Sequence, residues 1–218
     1  MSLNTKRIVI VDDHPSTRDG LVTRVELEPD LEVVGEASDV DEAITVIGRA
    51  RPNIAVIDVS LKSSSGIDLV KVIKERYPCV KMLVWSMYDD SLYAERAVRA
   101  GAMGYINKQQ VTDRIIEAIR TIIGGELFLS KEVSARILNR VIAGRASVAA
   151  APIESLSDRE LETFRLIGQG ITTKEIATAM NLSPKTIETY RSRIKEKLGL
   201  DDTTLLTREA TQWVLENG

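Results

Sequence analysis

Arg7–Pro15, RIVIVDDHP, is the stretch whose reading decides the fold. Four β-branched residues in unbroken succession, Ile8 to Val11, mark a strand buried on both faces, because a strand with one wet face alternates apolar and polar residues. Two aspartates close the run. Pro15 then stands where a helix can begin, since its missing N–H costs nothing at a first helical position. A buried strand that ends in acids and feeds a helix is the opening of a βαβ unit.

Working outward, the same alternation recurs four times. Leu31–Glu36, Ile54–Val59, Met82–Trp85 and Gly104–Ile106 read as further strands. Ser16–Leu27, Val40–Ala50, Ile67–Arg76, Ser91–Ala100 and Thr112–Ile123 carry helical apolar spacing. Five such units predict an α/β domain over residues 1–128, a five-stranded parallel, doubly wound sheet of flavodoxin-like kind. Residues 129–154 read as a linker that holds one helix, Ser130–Ile142, followed by the small-residue run GRASVAAAPIES at Gly144–Ser155. Residues 155–218 show four helical patterns and no β-branched alternation, which predicts a separate all-α domain.

Composition narrows the function classes. The net charge of −3 divides into −4 over residues 1–128, +2 over 129–154 and −1 over 155–218, so no domain is basic as a whole. The single cysteine, Cys79, excludes an intramolecular disulfide and a cysteine-cluster metal site, which points to a reducing compartment and a cytoplasmic protein. No apolar run approaches the ~20 residues that span a bilayer, and a membrane partner is not expected.

In an open α/β sheet ligands bind beyond the carboxyl ends of the strands. The polar residues placed there are Asp12 and Asp13 after the first strand, Asp58 near the end of the third, Ser86 after the fourth and Lys108 after the fifth. Three convergent carboxylates repel one another unless a cation sits among them, and all-oxygen ligands with room for water suit Mg²⁺. Beside such an ion and a lysine, a carboxylate can attack a phosphoryl group, because the cations neutralise the charge on the transferring oxygens. Asp58 is the expected nucleophile, Lys108 the expected partner of a phosphoryl oxygen, and the Ser86 hydroxyl the expected donor to another. His14, the only histidine, reads as a loop residue ahead of Pro15.

The C-terminal segment carries a second chemistry. Leu156, Leu161, Phe164 and Ile167 share one face, and Gly168-Gln169-Gly170 ends that helix with glycines free to turn left-handed. Thr172 or Thr173 can cap the next helix, and Asn181-Leu182-Ser183 is a turn of helix-turn-helix length. In the helix that follows, Ile187, Tyr190, Ile194 and Leu198 form the buried stripe. Lys185–Lys197 holds five basic and two acidic residues, and outward donors on one helix in a major groove can reach base edges and phosphates.

VDDHP at Val11–Pro15, IDVSLKSSSG at Ile57–Gly66, WSM at Trp85–Met87 and GAMGYINK at Gly101–Lys108 resemble the motifs of response regulator receiver domains. That resemblance implies Asp12 and Asp13 as the Mg²⁺-binding acidic pair, with Asp13 the direct ligand, and Ser60 as the donor of a backbone carbonyl to the metal. It also implies Asp58 as the phosphorylated aspartate, Ser86 as the switch hydroxyl, Tyr105 as the switch aromatic and Lys108 as the receiver lysine. Lys62 stands where many receivers have proline. Leu156–Leu200 resembles the LuxR-type helix-turn-helix, SPKTIETYRSRI included, with Thr173–Met180 as scaffold helix and Pro184–Leu198 as recognition helix. Lys185, Thr186, Glu188, Thr189, Arg191, Ser192 and Lys195 are then the expected DNA contacts, and Thr203–Leu215 the dimer helix, with Leu206, Ala210 and Trp213 on one face.

Together the two resemblances imply a NarL/FixJ-type response regulator. Phosphorylation of Asp58 by a sensor histidine kinase controls binding to double-stranded promoter DNA, with a homodimer as the phosphorylated form. Two other readings stand beside it: a regulator of this architecture that binds DNA without phosphorylation, and an aspartyl-phosphate phosphotransfer or phosphatase enzyme. Enzymes of the latter kind need a second acid two residues after the nucleophile, where this chain has Ser60. No substrate turnover is expected beyond loss of the chain's own phosphate.

Overall fold

The computed structural model of the chain describes residues 5–61, 65–87, 90–109, 113–142 and 152–217. Two compact units divide it, Met1–Ile142 and Ala143–Gly218. Lys62 and residues 143–151 of the expected linker lie outside the described residues.

In the first unit, strands β1 (Lys6–Val11), β2 (Leu31–Ala37), β3 (Ile54–Ile57), β4 (Lys81–Ser86) and β5 (Gly104–Asn107) form one parallel sheet in the order β2-β1-β3-β4-β5. Its helices are α1 (Pro15–Glu26), α2 (Val40–Ala50), α3 (Gly66–Arg76), α4 (Asp90–Ala100), α5 (Asp113–Gly124) and α6 (Lys131–Ile142). Ile8, Val9, Ile10 and Val11 are buried together with all of Ile54–Ile57, as a strand covered on both faces requires. Local signals set the helix starts. Pro15 occupies the first turn of α1, Asp39 accepts the Glu42 N–H at the start of α2, and Ser65 accepts the Ile67 N–H at the start of α3.

Two expected boundaries shift. β3 ends at Ile57 rather than at Val59. Asp58 still donates its N–H to Val11 at 2.8 Å, but the chain then folds back, bridging Ser60 to Ser65 and bonding the Gly66 N–H to the Val59 carbonyl. The helix expected within the linker, α6, clusters with the first unit and packs against α4, burying Val133.

The second unit holds a short 3₁₀ turn (Pro152–Ser155) and helices α7 (Asp158–Gly168), α8 (Thr173–Ala179), α9 (Pro184–Leu198) and α10 (Thr203–Asn217). Ser157 with Glu160 and Thr172 with Glu175 form reciprocal capping boxes at α7 and α8, so Thr172 is the residue that caps α8. Leu161, Phe164, Ile176, Ile187, Ile194, Leu206 and Ala210 make its core. The two glycines after Phe164 have different jobs. Gly170 takes the left-handed conformation at φ +80°, whereas Gly168 is the last helical residue and has no room for a side chain, since a Cβ there would meet the Ala210 carbonyl oxygen at 2.3 Å. Among the described residues no helix is long and apolar enough to cross a membrane.

Candidate functional site

Asp12, Asp13, Asp58, Ser86 and Lys108 meet at the carboxyl end of the sheet because β1, β3, β4 and β5 are neighbours and parallel. Lys108 Nζ donates to Asp12 Oδ2 at 2.6 Å and pairs with Asp58 Oδ2 at 2.9 Å. All three side chains are buried, with 5% or less exposed. The other oxygen of Asp12 accepts the His14 N–H at 2.8 Å, so both Asp12 oxygens are engaged. Arg18 donates to the Asp12 carbonyl and to Glu36, which ties the acidic loop to α1 and to the end of β2. The Lys108 N–H bonds to the Ser86 carbonyl at 2.7 Å, locking the lysine to the strand end that presents the buried Ser86 side chain.

Two carboxylate oxygens of the cluster, Asp13 Oδ1 and Asp58 Oδ1, are buried and accept no hydrogen bond among the described residues, although His14 Nδ1 lies 2.8 Å from Asp13 Oδ1. One ligand atom from each of Asp12, Asp13, His14 and Asp58 falls within 4.8 Å of the others. Burial pushes the Asp58 carboxyl above the ordinary range and Asp12 adds to the rise, against the pull of the Lys108 ammonium and a hydrogen bond from the Ser60 backbone. Three carboxylates against one ammonium, with two oxygens unsatisfied, fit a divalent cation held by oxygen ligands.

The second unit presents α9 along its surface. Lys185, Glu188, Thr189 and Ser192 are exposed, as is Arg193, while Thr186, Arg191 and Lys195 are half-buried. Thr186 is turned toward the cap of its own helix, its hydroxyl 2.9 Å from that of Ser183. Glu188 accepts a hydrogen bond from Thr173 Oγ1 at 3.0 Å, which joins α9 to the start of α8. Lys197 is a tether: its Nζ reaches Glu160 and the Ser155 carbonyl.

Two families match these two units. Residues 8–120 match the response regulator receiver domain, and residues 154–210 match the bacterial regulatory proteins of the luxR family. The chain is a response regulator of the NarL/FixJ family. The regulator is 33% identical over 206 residues to the DNA-binding transcriptional activator DevR/DosR of Mycobacterium tuberculosis, the match covering 94% of each chain. It is 34% identical over 198 residues to the oxygen regulatory protein NreC of Staphylococcus carnosus, covering 89% of this chain and 91% of that one. RcsB from Salmonella enterica serovar Typhimurium, solved bound to promoter rprA, superposes with a TM-score of 0.59 at 26% identity, over 95% of this chain and 99% of the other. A LuxR-family response regulator from Aurantimonas sp. gives 0.58 at 32% identity, over 63% of this chain and 99% of the other.

One expected role of the regulator's residues needs correction. Leu206 and Ala210 are fully buried, and Trp213 packs at a tilt against Phe164 with ring centroids 5.9 Å apart. The face expected to meet a partner therefore holds α10 against α7 in the same unit, for the reason that a short four-helix domain must spend its apolar stripes on its own core. The outward side of α10 carries Thr204, Arg208, Thr211 and Leu215, the last 77% exposed. Tyr105 lies buried on β5, one strand from Ser86.

Sequence reasoning missed three contributors. Gly66 sits so close to the loop after β3 that a Cβ would fall 1.8 Å from the Asp58 carbonyl oxygen. Arg18 was hidden because its partner is a backbone carbonyl. Trp85 was legible as a strand residue at the head of the WSM motif but not as a neighbour of Lys108, whose Nζ lies over its ring, 5.1 Å from the centroid.

Proposed function

We propose that the regulator accepts a phosphoryl group on Asp58 and that this modification controls its binding to promoter DNA through α9. The observation that carries the reading is the division of labour in the acidic pocket. Lys108 spans Asp12 Oδ2 and Asp58 Oδ2, while Asp13 Oδ1 and Asp58 Oδ1 are buried and accept no hydrogen bond among the described residues. An Asp58 oxygen attacks phosphorus in line, the bond from phosphorus to the donor's nitrogen or oxygen breaks, and an acyl phosphate remains on Asp58. Lys108 stands ready to pair with a phosphoryl oxygen, and the Ser86 hydroxyl to donate to another.

Asp13 and Asp58, with the Ser60 carbonyl, would hold Mg²⁺, and Asp12 would support them from behind. Bound there, the ion supplies positive charge against the phosphoryl oxygens. The donor is a phosphohistidine of a sensor histidine kinase or a small phosphoramidate or acyl phosphate. Water attack on the same phosphorus returns the free Asp58 carboxylate.

Output runs through the second unit. DevR/DosR is described as a DNA-binding transcriptional activator, and RcsB has been solved on promoter DNA and as dimers on DNA. By the same arrangement α9 enters a major groove, with Lys185, Thr189, Ser192 and Arg193 outward and Arg191 and Lys195 at its flanks. Two copies of the phosphorylated chain, paired through the outward face of α10, then read the two halves of one site. The test is labelling by acetyl phosphate with and without Mg²⁺, followed by a gel-shift titration on promoter DNA. Stoichiometric, Mg²⁺-dependent label that Asp58→Asn abolishes, with tighter DNA binding, is the expected result. Label that survives in Asp58→Asn, or labelled protein that binds promoter DNA no more tightly than unlabelled protein, overturns it.

A further inference from the structure

We infer that Trp85 is a positioning residue for Lys108, its indole face holding the ammonium at the mouth of the phosphoacceptor pocket. The inference rests on the phosphoacceptor reading of Asp58 and adds a part to it. Lys108 carries its charge on a flexible four-carbon stem, and a lysine ammonium fixes no geometry by itself, unlike the planar fork of arginine. In the resting pocket two carboxylates restrain it, Asp12 at 2.6 Å and Asp58 at 2.9 Å. Once Asp58 becomes an acyl phosphate, its direct carboxylate pair with Lys108 is lost and the ammonium must re-aim at a phosphoryl oxygen while Asp12 still holds it from the other side.

The Trp85 ring restrains the ammonium through that change. Lys108 Nζ lies over it at 5.1 Å from the centroid, inside the range where the negative face of an aromatic ring attracts a cation. Such attraction is strongest where water is excluded, and the lysine side chain is only 5% exposed. The ring is itself immobilised: Trp85 lies in β4 immediately before Ser86 and packs against the core cluster that includes Ile8, Ile106, Ile115 and Ile119. A fixed, uncharged, attractive surface is present equally before and after phosphoryl transfer, which the Asp58 carboxylate is not.

The experiment uses the full-length protein with Trp213→Phe, which leaves Trp85 as the single tryptophan of the two in the chain. Trp85 is replaced biosynthetically by mono-, di- and trifluorotryptophan, which drain the negative face of the ring while nearly preserving its shape. The rate of Asp58 labelling by phosphoramidate in Mg²⁺ and the lifetime of the label are measured for each. Labelling should slow stepwise with each fluorine, reaching on the order of fivefold at the end of the series. Trp85→Leu should be at least as slow, and Trp85→Phe should recover most of the rate. A flat series in protein that is labelled at Asp58 overturns the inference alone, even if Trp85→Leu is slow, because packing would then explain that variant. Failure of the parent to label, or label that persists in Asp58→Asn, overturns the phosphoacceptor reading and this inference with it.

Discussion

Lys197 Nζ lies 2.6 Å from Glu160 Oε2, so one ion pair fastens the last turn of α9 to the first turn of α7. Glu160 also closes the capping box by accepting the Ser157 N–H. Burial alone would raise the Glu160 carboxyl, but the hydrogen bonds from Lys197 and Ser157 more than offset it and leave it below the ordinary glutamate range. A carboxyl lowered in the folded state contributes stability that is complete above its unfolded pKa and is lost as pH falls through the folded one. Glu160→Gln keeps the cap and removes the charge. Urea unfolding of the second unit near neutral pH should show a loss of about 1–2 kcal/mol, and the gap to the parent should close below the glutamate range. A gap that stays constant into acid would remove the ion pair from the explanation.

Gly66→Ala places a methyl group where the Asp58 carbonyl oxygen stands, 1.8 Å away, and that atom is backbone. The loop must move, and Asp58 with it. We expect labelling of Asp58 to fall at least tenfold with a loss of stability of about 2 kcal/mol or more. Parent-like labelling kinetics would show that the close approach is not needed.

Ser86→Ala separates chemistry from output. The hydroxyl is buried at the end of β4, beside the backbone bond that ties Lys108 to that strand, and Tyr105 is buried on the adjacent strand. Phosphate uptake should continue, while the gain in DNA affinity on phosphorylation is lost. Retention of the full gain in gel-shift titrations would exclude Ser86 from the relay.

On α9, Lys185→Ala and Arg193→Ala remove exposed cations without touching the core. Each should weaken DNA binding, and where the lost partner is a phosphate the slope of log affinity against log salt should fall by about 1. Thr186→Val should instead act through the helix start, because that hydroxyl faces Ser183. An unchanged affinity and salt slope for both cationic variants would move the DNA contact off this surface.

Leu206 and Leu215 share α10 but not a role. Leu206→Ala should cost about 2–5 kcal/mol in the second unit, since the side chain is fully buried. Leu215→Asp changes a side chain that is 77% exposed and should leave the fold intact while weakening dimer formation on DNA. Cooperative two-copy binding undiminished in Leu215→Asp would place the dimer contact elsewhere.

Much of this was readable from the chain because the deciding signals are local. Unbroken β-branched runs mark two-sided burial, Ser, Thr and Asp mark helix starts, and acids at strand ends mark the pocket. The α10 stripe of Leu206, Ala210 and Trp213 shows the limit: periodicity identifies an apolar face but not what covers it, and here α7 of the same unit does.

The sequence by itself determined the order of elements, the parallel sheet with its polar strand ends, and the four-helix C-terminal unit, since each follows from side-chain period, capping chemistry and chain connectivity. Only the tertiary structure decided which Asp12 oxygen meets Lys108, that Asp13 Oδ1 and Asp58 Oδ1 accept no hydrogen bond among the described residues, that Gly66 abuts the Asp58 carbonyl and that Trp85 lies under the ammonium. These relationships join residues on different elements, and their distances are set by how strands, loops and helices pack rather than by any spacing along the chain.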